Sequence, residues 1–496
     1  MKKIEKILIA NRGEISVRIQ RTCRELGIKT VAIFSEQDKS AFHVQYAEES
    51  FALGGTALAD TYLNQDKIIE ITKKSGADAI HPGYGFLSEN SEFARKCVEN
   101  DIIYIGPDPD TIDLMGLKTE SRKLMEKAGV PVVPGSIPLS SIEDVKTEAK
   151  RIGFPIIIKA SAGGGGKGMR LVNVFEELEP AFDSCRREAQ NSFGNPEVYM
   201  EKYITNIHHI EFQVIADHYG NVKHLYERDC SIQRRHQKII EECPSTILTD
   251  ELREEMGEIA ILATKACNYK NAGTIEFILD DTGNFYFLEM NTRLQVEHPI
   301  TEMITGLDLV AKQIKIAQGE SIEDLVINRR GAAIECRIYA EDPENNFMPS
   351  PGKLEVYTIP AGFGVRNDTG VYSGYTIPME YDPMISKLIV YAEDRARAIE
   401  KMQRALGEIH VLGIKTNISY LRKIILTDNF KEGKVNTQFI EEHEEELSRR
   451  PIGYGKNAIA AAAILKYEDM MGNLPCSKNG KGSAWKMNAR REGVNL

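Results

Sequence analysis

Glu276 and Glu289 stand on either side of Asp280-Asp-Thr-Gly283, a turn sequence between two strand-like runs, Ala272–Leu279 and Asn284–Asn291. With the turn centred between Thr282 and Gly283, residue i pairs with residue 565 − i, so Glu276 faces Glu289 across a hairpin. Two carboxylates opposed on one face of a sheet repel. A divalent cation between them removes that cost, and hard oxygen ligands suit Mg2+. Counting by twos from Glu289, the alternation of an extended chain brings Asn291, Arg293, Gln295 and Glu297 to the same side. Met290, Thr292, Leu294 and Val296 then point the other way. Asn and Gln are depleted in strands, so the polar side is expected to wall a site rather than merely face water.

Two further segments could handle anions. Gly163-Gly-Gly-Gly-Lys-Gly168 lies between two strand-like runs. A dinucleotide fingerprint needs a helix next, and a P-loop needs Ser or Thr after the lysine. What remains is a glycine-rich flap whose backbone amides can fold over phosphates, with Lys159 as a separate phosphate ligand. The run Glu227–Lys238 holds Arg234, Arg235, His236 and Lys238 within five residues. Such runs often form only a solvated stripe. Here, beside a predicted metal site and in a chain of net charge −11, an anion-binding role is expected. The strand Ala333–Tyr339 puts Glu335 and Arg337 on one face.

The elements that must position these groups follow from periodicity. Lys6–Ala10, Thr30–Phe34, Ala77–Ile80 and Ile102–Ile105 read as buried strands, and Glu14–Leu26 and Asn64–Ser75 as helices between them. That alternation predicts a doubly wound parallel sheet, with ligands at the carboxyl ends of its strands. Two polar turns lie there, Asn11–Glu14 and His81–Phe86. Residues 111–130 read as helix, 198–300 as strands with hairpins, 331–360 as strands and 392–408 as helix. The charge run at 441–450 reads as a solvated helix face, and an Ala-rich tail follows. At 496 residues, about three domains are expected.

Composition narrows the function. With 62 Lys+Arg against 73 Asp+Glu the chain is unsuited to non-specific nucleic-acid binding. Eight scattered cysteines without a CxxC pair suggest reduced thiols. No N-terminal apolar core is long enough for a signal peptide, and the longest apolar run, Ala458–Leu465, cannot span a membrane. A cytoplasmic protein is expected.

Taken together, the motifs resemble the biotin carboxylase family of ATP-grasp enzymes. They are Ile9–Ile15, His81–Asn90, Ile158–Met169, Glu227–Lys238, Phe287–Pro299 and Glu335–Asp342, and the resemblance covers residues 1 to about 445. It implies an α/β and α+β architecture in three parts. These are a Rossmann-like N-terminal domain (1–115), an ATP-grasp domain (116–330, flap about 132–203) and a β-rich C-terminal domain (331–445). A helical or partly disordered tail (446–496) follows. By the same resemblance Lys118, Lys159, Gly165, Gly166, Glu201, Lys202, Ile204, His209, Gln233, His236, Glu276 and Glu289 fall at ATP-contacting positions. Glu276, Glu289 and Asn291 fall at the Mg2+ (or Mn2+) site. Lys238, Arg293, Gln295, Val296 and Glu297 match the bicarbonate site, and Tyr84 and Arg337 match positions beside biotin. Arg18, Arg21, Glu25, Phe363 and Arg366 fall where the family forms its homodimer.

The implied reaction is ATP-driven carboxylation of biotin by bicarbonate through carboxyphosphate. Glu297 acts as base near Arg293 and Lys238, and Arg337 stabilises the biotin enolate. With no biotinyl or carboxyltransferase domain recognised, biotin is expected on a partner polypeptide that carries the carboxyltransferase. Trp485-Lys-Met487 lacks the context of a biotinylation motif. The tail favours the biotin carboxylase component of a two-part pyruvate carboxylase over that of an acetyl-CoA or other acyl-CoA carboxylase. Another ATP-grasp ligase, making an acyl- or carbamoyl-phosphate, and a nucleotide-sensing scaffold are the competing readings.

Overall fold

Short runs of Ile, Leu, Val and Ala with no polar alternation fit only a sheet covered on both faces. In the computed structural model, which describes residues 3–139, 141–160, 169–193, 196–449 and 464–465, they form such a sheet. Strands β1 (Lys6–Ile9), β2 (Lys29–Phe34), β3 (Glu49–Ala52), β4 (Ala79–His81) and β5 (Ile103–Tyr104) run parallel in the order β3-β2-β1-β4-β5. Ile7, Leu8, Ile9, Val31, Ile33 and Ile80 are wholly buried. The helices Gly13–Glu25, Gln65–Ser75 and Ser91–Glu99 connect the strands. The order reverses between β1 and β4, the point where such sheets bind ligands. The two turns predicted there meet: Asn11 donates through Nδ2 to the carbonyls of Pro82 and Tyr84. Gly83 closes the approach, with φ +65° and room for no Cβ beside Asn11.

Two expectations need correction. Strand β3 has no counterpart among the predicted strands, being a half-exposed edge strand of four residues whose weak alternation carries little signal. The helical stretch 111–130 is two helices, Pro109–Gly116 and Lys118–Ala128, because Leu117 is extended.

A helix at Ile142–Ile152 leads into a three-stranded antiparallel sheet of β6 (Ile156–Ala160), β7 (Met169–Val172) and β8 (Val198–Lys202), in the order β7-β6-β8. The helix Leu178–Phe193 packs on it. The glycine-rich loop joins β6 to β7, as expected, but Gly165, Gly166 and Lys167 lie outside the described residues.

An antiparallel sheet of eight strands carries the chemistry. It comprises β9 (His208–Ala216), β10 (Val222–Arg234), β11 (Gln237–Cys243), β12 (Asn271–Leu279), β13 (Phe285–Asn291), β14 (Ala332–Tyr339) and the strands Val365–Thr369 and Met384–Ala392. Their order is β13-β12-β9-β10-β11-β14, then Met384–Ala392 and Val365–Thr369. Strand β9 shows how one sequence makes a wall and a core. Ile210, Phe212 and Val214 enter an apolar cluster with Met256 and Ala260 of the helix Asp250–Ala266. Between them Glu211 and Gln213 are equally buried on the opposite face. Of the charge run at 441–450, Leu447 is buried while most of its neighbours stay exposed. The tail from Ser448 forms a separate unit, described only at 448–449 and 464–465, so Trp485-Lys-Met487 falls outside. All seven described cysteines are buried and outside any disulfide. Among the described residues no helix is long and apolar enough to cross a membrane.

Candidate active site

Glu276 and Glu289 are direct partners across β12 and β13. The route to that pairing differs from the one expected. Leu279 pairs with Phe285, Ile278 with Tyr286 and Phe277 with Phe287, which centres the turn on Thr282. A bulge at Leu288 then restores the register before the glutamates. Asp280 shapes the turn by accepting hydrogen bonds from the amides of Thr282 and Asn284, with Gly283 at φ +88°.

Strand β13 ends at Asn291, so the predicted alternation does not continue to Glu297. The chain turns instead and enters the helix His298–Thr305. Arg293, Gln295 and Glu297 still line the same cleft, of about 890 Å³, but Val296 lines it too, contrary to the alternation. Met290, Thr292 and Leu294 are buried away from it. Lys118, Lys159, Glu201, Lys202, Ile204, His209, Gln233, His236, Lys238, Glu276, Glu289, Asn291 and Arg337 complete the predicted residues that line the cleft. Tyr84 is not among them; its hydroxyl is held by Glu14.

Lys238 sits at the centre. Its Nζ donates to Glu211 Oε2 (2.5 Å), Glu276 Oε1 (2.9 Å) and Glu297 Oε1 (2.7 Å). Burial alone would raise the carboxyl groups of Glu276 and Glu297. Lys238, helped by His209 at Glu276 and by Arg337 at Glu297, holds both well below the ordinary glutamate range. Glu297 therefore stays ionised although wholly buried. It also accepts from Arg337 Nη2 at 3.0 Å. Arg293, expected beside Glu297, is bound instead to Glu89 Oε2 (2.9 Å) and Asn291 Oδ1 (3.1 Å), because the loop after β4 presents Glu89 to it.

Burial, and then the charge of Glu276, push the Glu289 carboxyl up, and no described side chain donates to it. A carboxylate opposed by a second carboxylate and lacking a donor is suited to a hard cation. Glu276, Glu289 and Asn291 offer only oxygen and amide ligands, which fits Mg2+.

On β6, Lys159 Nζ bonds Glu201 Oε2 (2.6 Å), whose other oxygen holds Arg122 (2.7 Å). Gln233 Nε2 meets His209 Nδ1 at 3.2 Å, and His209 Nε2 lies 3.0 Å from Glu276 Oε2. The basic run is split by its own turn. Arg235 and His236 have positive φ, which sends Lys238 into the cleft while Arg234 pairs with Glu341 and Arg235 with Asn346.

Comparison with known proteins identifies the family. Family models match residues 3–112 (biotin carboxylase, N-terminal domain), 118–325 (carbamoyl-phosphate synthase L chain, ATP binding domain) and 335–442 (biotin carboxylase C-terminal domain). Biotin carboxylase 1 of Bacillus subtilis is 52% identical over 445 residues, 89% of this chain and 99% of that protein. The chain belongs to the biotin carboxylase family. A pyruvate carboxylase subunit of Methanothermobacter thermautotrophicus is 54% identical over 441 residues, 88% of this chain and 90% of its relative. The biotin carboxylase domain dimer of Hydrogenobacter thermophilus 2-oxoglutarate carboxylase was solved with MgADP, ADP and bicarbonate. It superposes with a TM-score of 0.81 at 48% identity, covering 91% of this chain and all of that one.

Several residues of this biotin carboxylase went unnoticed in the sequence. Arg228, with no exposed surface, bonds Glu211 Oε1 (2.5 Å), Gln213 Oε1 (2.8 Å), Thr301 Oγ1 (3.0 Å), Thr274 Oγ1 (3.1 Å) and Gln295 Oε1 (2.6 Å). Gln295 is thereby turned so that its Nε2 donates to Glu276 Oε1 at 2.8 Å. Lys387 fixes the next turn by donating to the Val296 carbonyl (2.7 Å). Glu241 anchors Arg337 through Nε at 2.6 Å. The alternation Ile-Glu-Phe-Gln-Val in β9 was the one available signal, since it leaves a polar face that strand pairing on both sides must bury.

Proposed function

We propose that this biotin carboxylase uses ATP and bicarbonate to carboxylate the ureido nitrogen of biotin presented on a carrier. The observation that carries the reading is Glu297, buried and hydrogen-bonded between Lys238 and Arg337, in the same cleft as the opposed Glu276 and Glu289. Bicarbonate is a weak nucleophile. A carboxylate kept deprotonated by two cations is ready to remove its proton, while Lys238, Arg293, Gln295 and Val296 surround the anion. Lys118 and Lys159 face the phosphate end, and Glu201, Lys202, Ile204, His209, Gln233 and His236 line the nucleotide's path. Glu276, Glu289 and Asn291 would hold Mg2+, which neutralises phosphate charge. Oxygen attack on the γ-phosphorus gives carboxyphosphate and ADP. Carboxyphosphate then yields CO2 and phosphate, and the phosphate takes the ureido proton. Arg337 stabilises the biotin enolate, and Tyr84 is assigned to the same biotin half of the reaction.

The domain limits 1–115, 116–330, 331–445 and 446–496 belong to the same reading, supported by where the family models match. So does a homodimer through Arg18, Arg21, Glu25, Phe363 and Arg366. Phe363 is 88% exposed, and Glu25 faces outward. Arg18 and Arg366 are already gathered on Glu302, at 2.7 Å each, and so would act from behind the contact. The favoured setting is cytoplasmic, as the biotin carboxylase component of a pyruvate carboxylase, supported by the 54% identity to the Methanothermobacter protein. An acyl-CoA carboxylase is the alternative. The test is ATP cleavage by the purified chain with Mg2+ and bicarbonate saturating. Free biotin should accelerate it; no acceleration would point to a ligase making another acyl phosphate.

A further inference from the structure

Behind Arg337 lies a second pair of opposed acids, which the mechanism above does not use. Strands β11 and β14 are antiparallel, and Glu241 is the direct partner of Glu335. Both side chains are fully buried. Opposed residues of such a pair share a face, with Cβ atoms about 4.5–5.5 Å apart. Arg337 occupies Glu241 Oε1, whereas Glu241 Oε2 and both oxygens of Glu335 have no hydrogen-bond donor among the described residues.

The surrounding charges do not relieve this. Arg337, two residues along β14, divides its guanidinium between Glu241 and Glu297. Lys387, opposite Arg337 on the neighbouring strand, gives its Nζ to the Val296 carbonyl and lies 3.3 Å from Glu14. The helix His298–Thr305, packed over β14, begins at Glu297, another anion. Its His298 ring is buried and held neutral, chiefly by desolvation. A buried carboxylate with no donor and no cation of its own is unfavourable. A single proton removes the conflict, because a carboxyl O–H needs an acceptor and Glu241 Oε2 is an acceptor without a donor.

We propose that Glu335 is protonated in the resting enzyme and donates that proton as a hydrogen bond to Glu241, making Glu335 the positioning residue that fixes the carboxylate on which Arg337 is seated. Burial acts in the same direction, pushing the Glu335 carboxyl well above the ordinary glutamate range. An ionised Glu335 would instead be a second anion on the same face, competing with Glu297 for Arg337. The inference rests on the reading that Arg337 serves the biotin half of the reaction.

The experiment compares the full-length wild type with Glu335→Gln and Glu335→Ala. Difference infrared spectra at neutral pH, without substrates, should show a protonated-carboxyl C=O band in the wild type that shifts in D2O and is missing from Glu335→Gln. This arm does not depend on any activity, so it decides the proton even where biotin stimulates nothing. In the second arm Glu335→Gln, whose amide can donate in place of the O–H, should keep biotin-dependent turnover within about threefold. Glu335→Ala should lose about tenfold, as expected for a lost hydrogen bond to a charged group. No band in the difference spectrum would overturn the proposal. Equal loss in both variants, each folded by circular dichroism, would also overturn it, because a negative charge would then be required.

Discussion

Replacing Lys238 by Met removes one ammonium from three buried carboxylates while keeping most of the side chain's length. Lys238 donates at 2.5, 2.9 and 2.7 Å to Glu211, Glu276 and Glu297. Glu211 retains Arg228, and Glu297 retains Arg337, but Glu276 is left with His209 and two amides. Removing one partner of a buried ion pair costs about 3–5 kcal/mol. Proton uptake relieves part of this, at 1.36 kcal/mol per pKa unit. Burial already pushes Glu297 upward and Lys238 is its largest opposing influence, so its carboxyl rises in the variant. The base then holds its proton to higher pH than in the wild type. The kcat/KM for bicarbonate, followed by ADP release, should fall about 100- to 1,000-fold, the rate equivalent of roughly 3–4 kcal/mol. The variant should also recover with rising pH as Glu297 ionises, along a limb the wild type lacks in that range. A Lys238→Met enzyme within about threefold of wild type, with an unchanged pH profile, would refute the assignment of Lys238 as the group that keeps the base ionised.

Glu289→Gln should raise the Mg2+ concentration for half-maximal ATP cleavage about tenfold or more, since one anionic ligand is lost. An unchanged metal requirement would count against the opposed-glutamate site. Arg337→Ala should leave nucleotide binding, read by fluorescence titration, nearly intact while biotin-dependent turnover falls about 100-fold; equal loss of both would contradict its placement in the biotin half-reaction. The folded-state pKa values of Glu276 and Glu297 lie well below their unfolded values. The stability they contribute is therefore present above the ordinary glutamate range and lost as pH falls from there toward the depressed values. Urea midpoints should drop over that interval, and less steeply in Lys238→Met; parallel curves would be inconsistent with the ion-pair network.

The sequence makes some of this legible for identifiable reasons. Strands β1, β2 and β4 lie inside a sheet covered on both faces, so their apolar runs are unbroken, whereas β3 at the edge is half exposed and left no trace. The facing of Glu276 and Glu289 is correct because two departures cancel: the turn centre lies half a residue from the expected place, and Leu288 bulges to compensate. Glu335 was legible only as a face-mate of Arg337, and Glu211 and Glu241 not at all, because in sequence they are indistinguishable from surface carboxylates. Their meaning comes from partners far along the chain, such as Arg337 for Glu241 and Lys238 for Glu211. The basic run divides for a related reason: a turn at Arg235 and His236 leaves His236 and Lys238 lining the cleft while Arg234 and Arg235 pair with Glu341 and Asn346.

The central claim is that this cleft makes a bicarbonate oxygen attack the γ-phosphate of ATP. Turnover in oxygen-18-labelled bicarbonate, with the phosphate analysed by mass spectrometry, tests it most directly. One labelled oxygen per phosphate released is the predicted result. Phosphate carrying only oxygen from water would contradict the account.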